Sequence, residues 1–311
     1  MIHGVPLNFD RSELAIARSV IYASLFDYPL TLDQLHESLI SASLTPKQIQ
    51  STFDNSPALR AVIGFKDGYF FPADRSELID ERRRREVRSR AFLARHARAL
   101  RLVCALPFTR MVALSGSIAH LNLEDRGDLD LFIITRGRRV WTVTVAMIVM
   151  ARLLGVRRAM CANFVMSDAH LGIEQQDLFT ANQVLHLKPL FGPEVLDGFV
   201  AANPFVKRFY PNRSPRPSTD FLLPHRPVLS VCKSLLEALL RPVAPLLEAL
   251  CRRLYAWHLR RKSSSWQSPE QVRLQADYLK LHTRSHRHRV LERFDERMDE
   301  TLNQRAHAAI A

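Results

Sequence analysis

The chain has 311 residues, 47% of them hydrophobic and only 10 of them glycine, which is enough apolar material for two or three packed units and argues against a loop-rich architecture. Forty-four basic against 31 acidic residues leave a formal charge of +13, so the favoured partners are anionic: nucleic acid, nucleotides or anionic lipid. No stretch offers 18 uninterrupted apolar residues and no basic-then-apolar leader opens the chain. Cys104, Cys161, Cys232 and Cys251 form no C-x-x-C pair, and the expectation is a reduced, cytoplasmic protein with buried apolar cysteines and no transmembrane segment.

Residues 1–74 read as a winged-helix-like module. Ser12 can cap a helix whose apolar positions are Leu14, Ile16, Val20, Ile21 and Leu25. Asp27-Tyr28-Pro29 ends it, Thr31 caps a second helix over 32–40, and Thr45-Pro46 opens a third over 46–55. Residues 61–65 and 69–71 flank Lys66-Asp67-Gly68, a hairpin signal. The third helix would be the recognition helix of a DNA-binding version, yet it carries only Lys47, Gln48 and Gln50, and phosphate contacts call for several cations. Docking or dimerisation is the other reading.

Residues 75–106 form a linker region, helical over about 75–103, with ten arginines against four acids. Arg82 to Arg85 are consecutive and so point all around the helix. It is either a solvated linker or a contact for nucleic acid or a triphosphate tail. Leu93, Leu100 and Val103 would pack it onto the next domain, and Pro107 ends it.

The most informative stretch lies at residues 110–134. Residues 110–114 read as a buried strand, Ser115-Gly116-Ser117 as a turn, and residues 118–123 as the start of a helix. A polar loop then leads to a second strand, Asp128-Leu129-Asp130-Leu131-Phe132-Ile133-Ile134. Alternate residues of a strand share a face, so Asp128 and Asp130 project together. Adjacent carboxylates raise each other's pKa unless a cation lies between them, and Mg²⁺ (or Mn²⁺) suits one or two carboxylates plus substrate phosphates. Free amides at a Gly-Ser turn suit the phosphates. The two together point to phosphoryl or nucleotidyl transfer.

A hydrophobic residue, Gly116-Ser117, ten residues, then Asp128-hydrophobic-Asp130-hydrophobic resembles the signature of the DNA polymerase beta-like nucleotidyltransferase superfamily. The wider chain, from Phe26-Asp27-Tyr28-Pro29 to Asp177-Leu178-Phe179-Thr180-Ala181 and Pro189-Leu190-Phe191-Gly192, is similar to bacterial proteins described only as nucleotidyltransferase-domain proteins. The resemblance implies an α+β fold with a nucleotidyltransferase-type mixed sheet over 107–202, Asp128 and Asp130 as catalytic metal ligands, and NTP phosphates on Ser115, Gly116 and Ser117. It also implies a third carboxylate on the next strand, over 158–166. That strand carries Cys161-Ala162-Asn163-Phe164 instead, with Asp168, Glu174 and Asp177 lying beyond it. This leaves a two-carboxylate enzyme, an unusual third ligand, or a binding-only descendant.

Between these strands, Arg136, Arg138 and Arg139 either reach phosphate oxygens, adding Arg138 and Arg139 to the nucleotide site, or cap the domain. Residues 140–154 are apolar nearly all round and should pack as a helix under the sheet. Asp177 opens a further helix ending near His186, a structural histidine; Pro189 to Gly192 stop it, and 193–202 make another short helix. Residues 203–227 contain six prolines and read as an extended linker. A C-terminal helical region covers 228–311. Its first part is split by Pro242 and Pro245, and its leucines, among them Leu235, Leu239, Leu246, Leu250 and Leu254, suit a hairpin covering the core. An interfacial membrane helix has the same profile. Helices over 269–282 and 285–309 complete it, with His286 and His288 facing solvent. The sequence thus favours a Mg-dependent transfer of an NMP from an NTP to an unknown acceptor. A nucleic-acid-binding regulator with a degenerate domain is the alternative.

Overall fold

The computed structural model describes residues 9–213, 219–282 and 285–303. Two sheets and the helices around them give a mixed α+β architecture. The N-terminal part opens with α1 (Arg11–Ser24). Its cap is Asp10 and not Ser12: the carboxylate accepts from the Ser12 and Glu13 amides, and Glu13 accepts from the Asp10 amide in return. Then come β1 (Leu30–Thr31), α2 (Leu32–Glu37), α3 (Pro46–Asn55) and α4 (Pro57–Val62), and the hairpin of β2 (Ile63–Lys66) and β3 (Tyr69–Pro72). The three strands form an antiparallel sheet in the order β1-β3-β2. The third helix has the predicted bounds. The second stops three residues early, because Ser38 closes it and Leu39 and Ile40 turn into the core.

α5 (Leu78–Cys104) is the long basic helix, and it is not a solvated linker. Arg82 is buried with its guanidinium 4.2 Å from the Tyr28 ring centre and 4.8 Å from that of Tyr69, and it donates to the Pro29 carbonyl. Arg85 reaches Asp27 at 3.1 Å and Glu81 at 2.7 Å, and Arg75 reaches Asp27 at 2.9 Å. Arg83, Arg84, Arg88 and Arg90 pair with Asp67, Glu81, Asp125 and Glu86. The arginines do point all around the helix: Arg82, Arg83 and Arg85 clamp it to the N-terminal module and Arg88 to the loop before the Asp strand, while Arg84 and Arg90 pair within the helix and Arg95 and Arg98 are exposed.

The larger sheet starts at β4 (Thr109–Ser115), which runs into the four-residue α6 (Gly116–Ala119) in place of the predicted longer helix. β5 (Leu129–Thr135) leads through α7 (Val140–Leu153) to β6 (Met160–Ser167). α8 (Leu178–Leu185), capped by Asp177, precedes β7 (Lys188–Phe191). α9 (Glu194–Ala201) and α10 (Phe205–Phe209) come next, then α11 (Pro227–Leu240) and α12 (Ala244–Arg261), the hairpin of β8 (Val272–Leu274) and β9 (Tyr278–Leu281), and α13 (Arg287–Asn303). Sheet order is β7-β4-β5-β6-β9-β8; β5 and β6 are parallel and every other pair is antiparallel.

The structure corrects several expectations. Residues 188–191, read as a helix stop, are an edge strand, where Pro189 costs no ladder bond. Residues 269–282, read as a helix, are a short turn and a hairpin that extends the sheet from β6, so the C-terminal region is not wholly helical. The proline-rich segment contains α10. Leu235, Leu239, Leu246, Leu250 and Leu254 do not cover the core but are exposed, and so is Cys232. The last helix is described to residue 303; its predicted extension lies outside the described residues. His286 and His288 are exposed, as expected. Among the described residues no helix is long and apolar enough to cross a membrane.

The sheet buries both faces, with the period-2 alternation this demands. Leu114, Leu129, Leu131, Ile133 and Val165 pack with α5, α7 and α12. Met111, Ala113, Phe132, Ile134, Phe164 and Met166 pack in one cluster with α1, α8, α9 and α13. Asp128 and Asp130 have the parity of the second set, so they belong to the face covered by α1, α8 and α13.

Candidate functional site

The β4–β5 ladder sets the geometry of the motif. Ser115 pairs with Asp130, and the chain then leaves β4 through Gly116 at φ +63°. A Cβ on Gly116 would lie 2.5 Å from Asp130 Oδ2, so the absent side chain is what lets this carboxylate sit against the turn. On the other side of β5, Asp130 pairs with Cys161 of β6. Asn163 donates its amide to Asp130 Oδ1, and the Cys161 thiol hydrogen-bonds Asp128. The residue standing where the resemblance implies a third acid therefore holds Asp130 in place.

Burial, followed by the charge of Asp128, pushes Asp130 up to about 7. Burial, then the bond to Asp128 and the charge of both acids, pushes the Cys161 thiol up to about 12, so it stays protonated at neutral pH. A buried acid strained by its neighbour is an environment that a cation relieves. Among the described residues no three His, Cys, Asp or Glu side chains group to hold a metal. The acids that lie beyond β6 have other work. Asp168 accepts from Gly137 N and Arg110, Glu174 from Arg273 and Gln275, and Asp177 caps α8 and pairs with Arg287. Two carboxylates with oxygen donors still fit Mg²⁺, which completes its shell with water and substrate phosphate.

Gly116 and Ser117 also line a cavity of about 430 Å³ walled by α1, α8 and α13. This is the size range of small-molecule pockets. His120 and His186 lie against each other in its wall, with ring centres 4.2 Å apart and planes inclined at 53°. Burial, then the charges of Lys188 and Arg82, holds His120 down to about 3. Burial and then His120 hold His186 well below the ordinary range. Both imidazoles are neutral at pH 7. The exposed Arg289 and Arg293 of α13 line the same cavity and supply its positive charge. Asn122 and Tyr22 line it as well; each is buried, and among the described residues the Asn122 Oδ1 and the Tyr22 hydroxyl have no hydrogen-bond partner.

The structure brings Ser115, Gly116, Ser117, Asp128 and Asp130 together, but not Arg138 and Arg139. Those two lie past the opposite end of β5, beyond roughly 17 Å of strand at about 3.3 Å per residue. Arg139 lies 5.7 Å from the Phe108 ring centre and donates to the Arg138 carbonyl at 2.7 Å. Arg136 pairs with Glu237 at 3.3 Å. Sequence reasoning did not single out Arg289 and Arg293. Their i, i+4 spacing puts them on one helical face, but only the packing of α13 on α1, with Phe294 5.2 Å from Tyr22, turns that face to the cavity. Compared with known proteins, the chain matches no family model, no curated protein and no solved structure.

Proposed function

We propose that the chain is a Mg-dependent nucleotidyltransferase that moves an NMP from an NTP to an acceptor hydroxyl or phosphate and releases pyrophosphate. The observation that carries this reading is the close approach of Gly116 to Asp130, which sets the Gly-Ser turn, part of the wall of the 430 Å³ cavity, against the paired acids, although neither acid lines the cavity itself. Asp128 and Asp130 would hold the ion, with Asp130 ionised by its presence. When bound, Mg²⁺ (or Mn²⁺) neutralises charge on the phosphates during transfer. Ser115, Gly116 and Ser117 bind the phosphates, and Arg289 and Arg293 add charge-assisted bonds to them. The neutral His120 and His186 give the cavity a polar wall without competing charge.

The alternative, a nucleic-acid-binding regulator, is favoured by Asn163 in the place of an acid. It is weakened by α5, whose Arg82, Arg83, Arg84, Arg85, Arg88 and Arg90, like Arg75 just before it, are engaged within the chain, leaving Arg95 and Arg98 as exposed cations of the helix. It is weakened also by α3, where Gln48 closes the Thr45 capping box and Gln50 donates to Asp54.

Calorimetric titration of each NTP with Mg²⁺ tests the proposal. Wild type should bind at least one NTP only when metal is present, and Asp128→Asn/Asp130→Asn should abolish that binding. Folded wild-type protein that binds no NTP overturns it.

A further inference from the structure

Among the described residues fourteen large apolar side chains are exposed, and twelve of them lie on α7, α11, α12 and the turn between the last two. On α11 they are Val228, Val231, Leu235, Leu236 and Leu239; on α12 they are Leu246, Leu250, Leu254 and Trp257. The spacing of three and four residues makes one stripe on each helix. The opposite faces hold the helices to the body. Glu237 accepts from Phe108 N at 2.8 Å, Lys233 donates to the Cys104 carbonyl at 3.2 Å, and Glu248 accepts from α7. The stripes therefore point outward by construction. Val149 and Leu153 of α7, which packs on α12, are exposed as well; Leu153 is 83% exposed, and Leu239 and Leu246 are each 73% exposed.

A face this apolar needs an occupant. The charges beside it say which. Residues 227–262 contain seven cations and two acids. Both acids, Glu237 and Glu248, are turned inward and bonded. Arg241, Arg252, Arg253, Arg260, Arg261 and Lys262 are all exposed. Arg253 and Arg260 fall on the flank of the α12 stripe, and the Arg261 guanidinium lies 4.6 Å from the Trp257 ring centre. An apolar stripe with cations on its flank, an amphipathic Trp and no exposed acid matches an anionic lipid surface. A second copy of the chain docked there would set cation against cation.

We propose that α11 and α12 seat the protein on an anionic membrane surface, lying in the plane of the headgroups with the stripes buried in the acyl boundary. Neither helix spans: together with the other described helices they are too short or too polar to cross. The seat is independent of the nucleotide reading, since it shares no residue with the site at Asp128 and Asp130.

The test is flotation of the full chain with phosphatidylcholine vesicles, with and without an equal share of phosphatidylglycerol. Binding should need the anionic lipid, weaken with salt, and blue-shift the emission of Trp257, a shift lost in Trp257→Phe. Arg253→Gln and Arg260→Gln should each weaken binding roughly fivefold. Leu239→Glu/Leu246→Glu should abolish it while circular dichroism and NTP binding stay as in wild type, and Asp128→Asn/Asp130→Asn should leave it intact. Folded protein that fails to float with anionic vesicles overturns the proposal. So does a concentration-dependent dimer that Leu239→Glu/Leu246→Glu dissolves without any lipid binding, which would make the occupant a second copy.

Discussion

Glu248 and Thr142 are joined twice: one carboxylate oxygen accepts the Thr142 amide at 2.8 Å and its hydroxyl at 2.6 Å, while the other oxygen accepts the Trp141 amide at 2.9 Å. An acid on α12 thus caps the first turn of α7, where unpaired amides and the helix dipole both favour negative charge. Glu248→Ala should destabilise the protein by about 3 kcal/mol, because it leaves buried donors unpaired. Glu248→Gln, which keeps one acceptor, should lose less. Urea denaturation checks both, and equal losses would show that the charge-assisted cap is not what holds the two helices.

Gly116→Ala combines a left-handed backbone with a collision against Asp130 Oδ2. The backbone term alone is about 1–2 kcal/mol. The expected result is a lower melting temperature and loss of Mg-NTP binding in the same variant. Gly68→Ala gives the matching control: the backbone is also left-handed, but nothing lies within 4 Å. It should cost stability and leave ligand binding as it was.

Asp130 carries a pH signature. Its folded pKa, about 7, lies above the unfolded value near 3.8. The folded state therefore holds a proton that the unfolded chain has lost, and stability falls as pH rises through that window. Asp130→Asn removes the penalty, so it should stabilise the metal-free protein by about 2–4 kcal/mol at pH 8 and progressively less toward pH 4. Metal-dependent NTP binding by wild type should strengthen as pH rises through 7. Denaturation curves across this range decide it; a stability gain independent of pH would place the Asp130 titration elsewhere.

The histidines give the opposite slope. Burial and nearby cations hold His120 down to about 3 and His282 to about 4, against 6.5 unfolded. Here the unfolded chain takes up protons that the folded state refuses, so stability present above pH 6.5 is lost as pH falls. At pH 5 each such imidazole should cost about 2 kcal/mol relative to pH 7.5. His120→Gln should flatten the decline by about that amount in urea midpoints measured at the two pH values.

What the sequence made legible was local. The pair of strands around Asp128 and Asp130 and the third helix of the first module all carry their signals within a few residues. Their capping residues and alternation need no distant partner to act. The hairpin of β8 and β9 was hidden because Ser268-Pro269 is a strong helix-start pattern and each strand is only three or four residues long. β7 was hidden by Pro189, which reads as a stop unless the strand is known to be at an edge. The cavity at Gly116 was out of reach for a different reason. Its walls come from residues 19–40, 116–124, 179–210 and 286–293, and no spacing rule relates them. The leucines of α11 and α12 showed their helical period plainly, but period alone does not say whether a stripe faces a core or solvent.

The pairing of β6 with β9 has a consequence for synthesis. Val165 meets Leu279 across more than a hundred residues of chain, so the sheet cannot close until the chain past Leu281 has left the ribosome. Until then β6 waits as an open edge carrying Phe164, Val165 and Met166, while the apolar helices α11 and α12 emerge before the strand that would cover it. A nascent chain in that state is exposed to aggregation, and one stalled near residue 262 should be the form that chaperones retain.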